Sequence, residues 1–244
     1  MFLDAPPAPE NRLGVDDTFH FSCHSSLSCF NRCCRNKHLP LTPYDILRIR
    51  KALGIHSDHF LEQYALYRLD PHSGFPIISL KMGDEAGKCP FVTSEGCEIY
   101  DDRPTACRLY PLGRSSAVGQ NGASPEAYYY LLHTPGCQGI KEEEEQTVAA
   151  WQEAQGLLPY IEMNDRMLGL LFHPRRDRAV HLNPEQQQKV MVACYNIDLF
   201  REFVFKSGFL QARRISGETR ESIREDDSAL LQLGLAYLDE SLFK

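Results

Sequence analysis

The sequence has no apolar run approaching the roughly 20 residues that a membrane-crossing helix needs, and stretches such as Met167–Phe172 fall far short. Its amino terminus, MFLDAPPAPENRLG, lacks the basic flank and apolar run of a secretory signal. Positive charge is not in excess either: 26 Lys and Arg stand against 33 Asp and Glu, for a formal net charge of -7. That balance argues against a broad electrostatic grip on nucleic acid or on an anionic membrane surface. There is no G-x-G-x-x-G turn, Walker loop, G-x-S-x-G elbow or H-E-x-x-H helix, so the common signatures of nucleotide binding, serine hydrolysis and zinc proteolysis are missing. These absences lead us to expect a soluble, cytoplasmic protein that engages neither nucleic acid nor membrane.

Cysteine, by contrast, is abundant. The chain of 244 residues holds nine, and eight of them fall between Cys23 and Cys137. A reducing cytosol does not maintain a disulfide framework, so metal binding or redox chemistry becomes the default reading. The order is C-x5-C-x3-C-C at Cys23, Cys29, Cys33 and Cys34, then C-x7-C-x9-C at Cys89, Cys97 and Cys107, and finally Cys137. A tetrahedral all-sulfur site uses four thiolates, so eight supply two sites, or one site with partners of another kind. Thiolate selects zinc or iron–sulfur iron, and spacing alone does not choose between them. The C-x2-C pair of many zinc sites is absent, as is the C-x2-C-x2-C run of ferredoxins. The C-x3-C-x2-C of radical enzymes fails too, because Asn36 follows Cys29 and Cys33 where the third cysteine belongs. Cys194 lies with Val190 and Met191 on an apolar helical face and reads as core.

The backbone around these cysteines is loop-like. Cys89-Pro90, Gly96-Cys97, Arg103-Pro104 and Gly136-Cys137 place rigid or permissive residues beside the thiols, which lets a loop wrap a metal and aim amides at sulfur. Arg32, Arg35, Arg103 and Arg108 lie close in sequence and would offset the charge of about -2 left by four thiolates around zinc. His20, His24, His38 and His133 also lie near cysteines, but they read more simply as solvent-facing or hydrogen-bonded side chains.

The remaining pattern predicts an α+β, helix-dominated fold. A mobile or docked arm at 1–15 precedes a cysteine-rich, loop-heavy metal-binding domain at 16–140 with a few short strands, and a helical domain follows at 141–244. Thr42-Pro43-Tyr44-Asp45 has the form of a capping box, with Gly54 as the stop. A second helix is expected from Ser57 to about Leu69. Strands are expected over Pro76–Met82 and Ala127–His133 around a turn at Gly83–Gly87, and the Tyr128-Tyr129-Tyr130 run should alternate in burial. Further helices are expected near Thr147–Gln155, Pro159–Phe172, from Asn183-Pro184, Ile197–Lys206 and Asp227–Phe243. The Glu142–Glu145 run reads as a solvated face.

Several elements together resemble a known family: F-x-C at Phe21 and Cys23, Cys33-Cys34, C-P-F at Cys89–Phe91, G-C-x-I-Y at Gly96–Tyr100, and R-P-x-x-C-R-x-Y-P at Arg103–Pro111. They are similar to the YkgJ-type cysteine-cluster family, described as zinc- or iron-chelating, over about residues 19 to 140. This chain departs from the name-giving C-x2-C-x2-CC pattern in its C-x5-C first gap. The resemblance implies Cys23, Cys29, Cys33, Cys34, Cys89, Cys97, Cys107 and Cys137 as metal ligands and an iron–sulfur cluster of the 4Fe-4S type as cofactor, with zinc as the alternative. The family's relation to flagellin lysine N-methylases adds a protein substrate or protein partner to the functions it implies.

Overall fold

The computed structural model describes residues 11–83, 87–117, 126–175 and 181–243. Its strands are β1 (Thr18–His20), β2 (Pro40–Leu41), β3 (Ala65–Leu69), β4 (Pro76–Leu80), β5 (Leu112–Ala117), β6 (Glu126–Leu131) and β7 (Glu145–Thr147). The helices are α1 (Pro43–Leu53), α2 (Ser57–Tyr64), α3 (Thr105–Leu109), α4 (Val148–Ala154), α5 (Leu158–Leu171), α6 (Pro184–Val190), α7 (Ile197–Lys206), α8 (Phe209–Ala212), α9 (Gly217–Glu225) and α10 (Asp227–Leu242). The architecture is α+β and helix-dominated, with short antiparallel strands in the first half and helices in the second. No helix among the described residues is long and apolar enough to cross a membrane.

The chain forms two compact units, each built from segments separated in sequence. One comprises the chain up to Lys37 with Gly83–Tyr100 and Thr105–Pro159; the other comprises His38–Met82, Asp101–Pro104 and Tyr160–Lys244.

In the first unit β1 pairs antiparallel with β7, and β5 with β6. Residues 1–10 of the arm expected at 1–15 lie outside the described residues, whereas Leu13 exchanges two backbone hydrogen bonds with Tyr129. The period-2 alternation of β1 puts Phe19 inside between exposed Thr18 and His20. Phe19 and Phe21 then meet the edge of Trp151 from α4 at centroid distances of 6.1 and 5.6 Å, and Phe21 also meets Tyr110 at 5.6 Å. The indole Nε1 donates to the Leu109 carbonyl at 3.2 Å, so the ring's one polar atom is satisfied. Of the three tyrosines on β6, Tyr129 is buried between two half-buried neighbours, the expected alternation. Part of the expected turn at Gly83–Gly87, residues 84–86, lies outside the described residues.

In the second unit α1 starts as its sequence dictates. The Asp45 N–H donates to Thr42 Oγ1 at 3.2 Å, the Thr42 N–H donates to Asp45 Oδ2 at 2.8 Å, and Gly54 closes the helix in the left-handed conformation at φ 65°. The helix expected to run to Leu69 ends at Tyr64, and Ala65–Leu69 becomes the edge strand of a β2-β4-β3 sheet. Five residue pairs join it to β4, from Ala65 opposite Leu80 to Leu69 opposite Pro76. Long-range pairing overrides a local pattern that fitted either period. Ile46, Ile49, Phe60, Phe200, Leu230, Leu231 and Leu238 form the core. The buried Arg50 pairs with Asp198 at 3.4 Å and with Asp227, which Arg201 also engages. Asp198 Oδ2 in turn accepts the Ser57 N–H and hydroxyl at 2.7 and 2.8 Å, capping α2 from outside that helix.

Candidate metal centre

All eight clustered cysteines belong to the first unit and are free thiols. Four stretches of chain present them, and named contacts hold each stretch in place.

The first follows β1. The Phe21 N–H donates to the Glu144 carbonyl at 3.0 Å and the Ser22 N–H to the Gly139 carbonyl at 3.1 Å, which sets Cys23 beside the turn carrying Cys137. Gly139 makes this approach possible, because a Cβ there would lie 2.5 Å from the Ser22 carbonyl oxygen and 2.7 Å from the Phe21 ring. Successive turns then carry the chain past Cys29 into a 3₁₀ turn over Arg32–Cys34. From the Cys137 turn the Gln138 N–H donates to Cys29 Sγ at 3.2 Å.

The second and third stretches meet at Cys34. Its carbonyl accepts the Cys89 N–H at 2.8 Å, Arg35 and Lys88 form an antiparallel bridge, and the Asn36 N–H donates to the Gly87 carbonyl at 2.8 Å. Beyond Cys89, buried Phe91 and Val92 anchor a small hairpin. Val92 bridges to Cys97, the Val92 N–H reaches the Cys89 carbonyl at 3.3 Å, and Asn31 Nδ2 donates to the Thr93 carbonyl at 3.1 Å. Cys107 comes from the short α3, where the neighbouring Arg108 is buried and donates to the Gln155 carbonyl at 2.6 Å.

The electrostatics record which thiols are neighbours. Cys23 is exposed as a residue, but its sulfur is partly withdrawn from water; burial first, then the charges of Cys33, Cys29 and Cys137, raise it to about 11. Cys33 and Cys34 sit with their sulfurs 4.0 Å apart, within hydrogen-bonding reach of each other. The hydrogen bond from Cys34 lowers Cys33 to about 6 against the effect of burial, with help from its own backbone and from Lys37. Cys34 is correspondingly raised, by that hydrogen bond, by burial and by Cys33, Cys107 and Cys89. Burial also raises Cys89, as does Cys97, while the Phe91 and Val92 amides and Lys88 oppose it.

The model of a cysteine-rich family, CxxCxxCC, described as "Putative zinc- or iron-chelating domain", matches residues 22–146, half of the chain. The chain belongs to the CxxCxxCC family. This agrees with the cysteine-cluster resemblance of the sequence and establishes metal binding of the zinc- or iron-chelating kind. Neither the curated proteins nor the solved structures contain a significant match.

The residues present suit the metals of the CxxCxxCC description. The donors are soft thiols, and the Gln138 amide already points at a sulfur, as amides do around thiolate-bound metals. The Tyr110 hydroxyl is buried beside the Cys137 thiol and Thr134 without a partner in good geometry; burial, and then Cys137, raise its pKa. A buried donor without a partner costs about 1–3 kcal/mol unless something beside it accepts its hydrogen. Among the described residues no three His, Cys, Asp or Glu side chains converge tightly enough to hold a single ion as they stand.

Other side chains near the cysteines fall as follows. Cys194 is only 2% exposed, in a π-helical turn over Met191–Tyr195 of the second unit. His24 hydrogen-bonds Ser26 at 2.6 Å and pairs with Glu142 at 3.4 Å, and His20 contacts the Glu143 carbonyl, so part of the acidic run serves to hold histidines. Lys37, Lys88, Tyr110 and Gln138 escaped the sequence reading. Lys88 could have been found as the cation adjacent in sequence to Cys89, whereas Lys37 stands behind Arg35 and Arg32 in distance from Cys34; Tyr110 and Gln138 carried no signal apart from their place in or beside motifs.

Proposed function

We propose that this chain is an iron–sulfur protein whose cluster or clusters, of the four-iron type, are held by Cys23, Cys29, Cys33, Cys34, Cys89, Cys97, Cys107 and Cys137. The observation that carries the reading is the gathering of eight reduced thiols from four separate stretches, with an amide donated to Cys29 Sγ. Amides and hydroxyls directed at sulfur tune iron–sulfur potentials.

The chain's own residues have definable tasks in this reading. The thiolates ligate, Lys37 and Lys88 offset negative charge at Cys33 and Cys89, and Gln138 and Tyr110 direct N–H and O–H groups toward sulfur. A bound cluster would supply one-electron transfer, for a redox or protein-modifying role. Thiols of this kind persist in a reducing compartment, which supports a cytoplasmic location.

The 4.0 Å separation of Cys33 and Cys34 Sγ favours a second reading. Two thiolates on one zinc at about 2.3 Å in tetrahedral geometry lie about 3.8 Å apart. The chain would then be a zinc-stapled interaction module without catalysis. Anaerobic purification with iron, acid-labile sulfide and zinc quantified together decides between them. Equal iron and sulfide is the expected result. Zinc without sulfide replaces the first reading by the second, and a chain that retains no metal refutes both.

A further inference from the structure

We infer that the eight cysteines divide by fold and not by sequence order, with Cys23, Cys29, Cys33 and Cys137 serving one metal site and Cys34, Cys89, Cys97 and Cys107 a second, so that the Cys33–Cys34 peptide joins the two. The inference rests on the proposed iron–sulfur reading, because a zinc shared by Cys33 and Cys34 would exclude it, and adds which thiols share a site.

Backbone ties define the first set. Ser22 N–H to the Gly139 carbonyl at 3.1 Å fastens the segment of Cys23 to that of Cys137, and Gln138 N–H to Cys29 Sγ at 3.2 Å fastens Cys137 to Cys29. Cys33 is within electrostatic reach of Cys23 and of Tyr110, the residue beside Cys137. The second set is tied as directly. Cys89 N–H to the Cys34 carbonyl at 2.8 Å joins those two, and the Val92–Cys97 bridge, with Val92 N–H on the Cys89 carbonyl at 3.3 Å, returns Cys97 to Cys89. Cys107 on α3 is within reach of Cys34.

Grouping by sequence order would instead put Cys34 with Cys23, Cys29 and Cys33, and Cys137 with Cys89, Cys97 and Cys107. That requires Cys34 to serve away from Cys89 and Cys137 to serve away from Cys29, against the ties just given. Consecutive side chains on a 3₁₀ turn diverge by about 120°. Beyond each other, at 4.0 Å between sulfurs, Cys33 and Cys34 therefore face different thiols: Cys23 on one side, Cys89 and Cys107 on the other.

Paired serine variants of the full chain, purified anaerobically with iron, sulfide and zinc counted per chain, test the division. Cys29→Ser with Cys137→Ser should keep half of the wild-type metal, because both changes fall in one site. Cys34→Ser with Cys97→Ser should do the same. Cys97→Ser with Cys137→Ser should lose nearly all of it. The reverse pattern, in which the last pair keeps half and the first loses all, overturns the division in favour of sequence order. Total loss in all three overturns it in favour of one shared centre, and metal-free wild type fails the underlying reading instead. A variant that does not fold also loses metal, so the wild-type protein supplies a second readout. During stepwise chelation followed by thiol alkylation and mass spectrometry, Cys137 should become reactive in step with Cys29. Release of Cys137 together with Cys97, or of Cys33 together with Cys34 as a pair, overturns the division without any substitution.

Discussion

Replacing Gly139 by alanine should loosen the first unit, and the size of the effect follows from two opposing quantities. An added Cβ would lie 2.5 Å from the Ser22 carbonyl oxygen and 2.7 Å from the Phe21 ring, whereas unstrained carbon contacts settle near 3.5–4.0 Å. About 1 Å of movement must therefore come from a backbone atom and from a ring already packed edge-on against Tyr110 and Trp151. Overpacking of this kind costs about 1–3 kcal/mol. Gly139 does not adopt the left-handed conformation, so alanine adds no backbone strain and recovers about 0.5–1 kcal/mol of unfolded-chain entropy. The rigid backbone neighbour places the cost in the upper part of its range, for a net loss of about 1–2 kcal/mol. The single tryptophan, Trp151, lies in this unit, so urea titration followed by its fluorescence reads the loss where it occurs. At a slope of about 1–3 kcal/mol per molar urea, the midpoint should fall by roughly 0.5–1 M. A midpoint equal to or above that of the parent protein would refute the argument that only glycine fits between these two stretches.

Gly169 provides the opposite case: it lies inside α5 with open space where a Cβ would go, so Gly169→Ala should raise the far-UV melting transition of the second unit by about 0.5–1 kcal/mol of stability. Asp198 is held below the ordinary carboxylate range despite its burial, by the Ser57 N–H and hydroxyl and by Arg50. A carboxylate lowered on folding stabilises above its unfolded pKa of about 3.9, and that stability is lost as pH falls through the lower folded value. Acid melts should therefore show a destabilising limb below about pH 4 that is shallower in Asp198→Asn; an unchanged limb would count against the assignment. Cys194→Ala should leave metal per chain unchanged, because that thiol is buried in the core of the second unit, and loss of half the metal would contradict this. Stripping metal should expose the amides of Cys34–Asn36 and Cys89–Cys97 to hydrogen exchange while α7 and α10 keep their protection, since apart from Phe91 and Val92 these loops have little apolar cover against an ordering cost of about 1–2 kcal/mol per residue.

Where a local rule dominates, the sequence was readable. The Thr42–Asp45 capping box, Gly54, the Asn183 cap and the Ile197–Lys206 helix all occur where their residues place them. Elements whose existence depends on a distant partner were not. Ala65–Leu69 becomes a strand only because β4 lies alongside, and β1 and β7 are too short to be recognised without each other. Helix α9 buries only Ile223, so it offers no apolar stripe to read. At the metal centre the identities of the thiols were evident, but their neighbours were not. Cys34 abuts Cys89, 55 positions on, through a backbone bond, and Cys29 meets the turn after Cys137 through the Gln138 amide; neither spacing follows any ligand motif.

The interleaving of segments bears on what evolution could have moved. The recognisable family region, 22–146, stops before α4 and begins after Phe21, so it omits the indole of Trp151 and both phenylalanine rings packed on it. It also carries α1 and α2 while leaving behind Tyr160 beneath Tyr44, Asp198 at Ser57 and Asp227 at Arg50. A gene fragment cut at those borders would encode apolar faces without their covers and charged side chains without their counterions. The family region bounded at 22–146 is therefore not a self-sufficient piece of this chain, because it would carry α1 and α2 stripped of the side chains that cover and neutralise them.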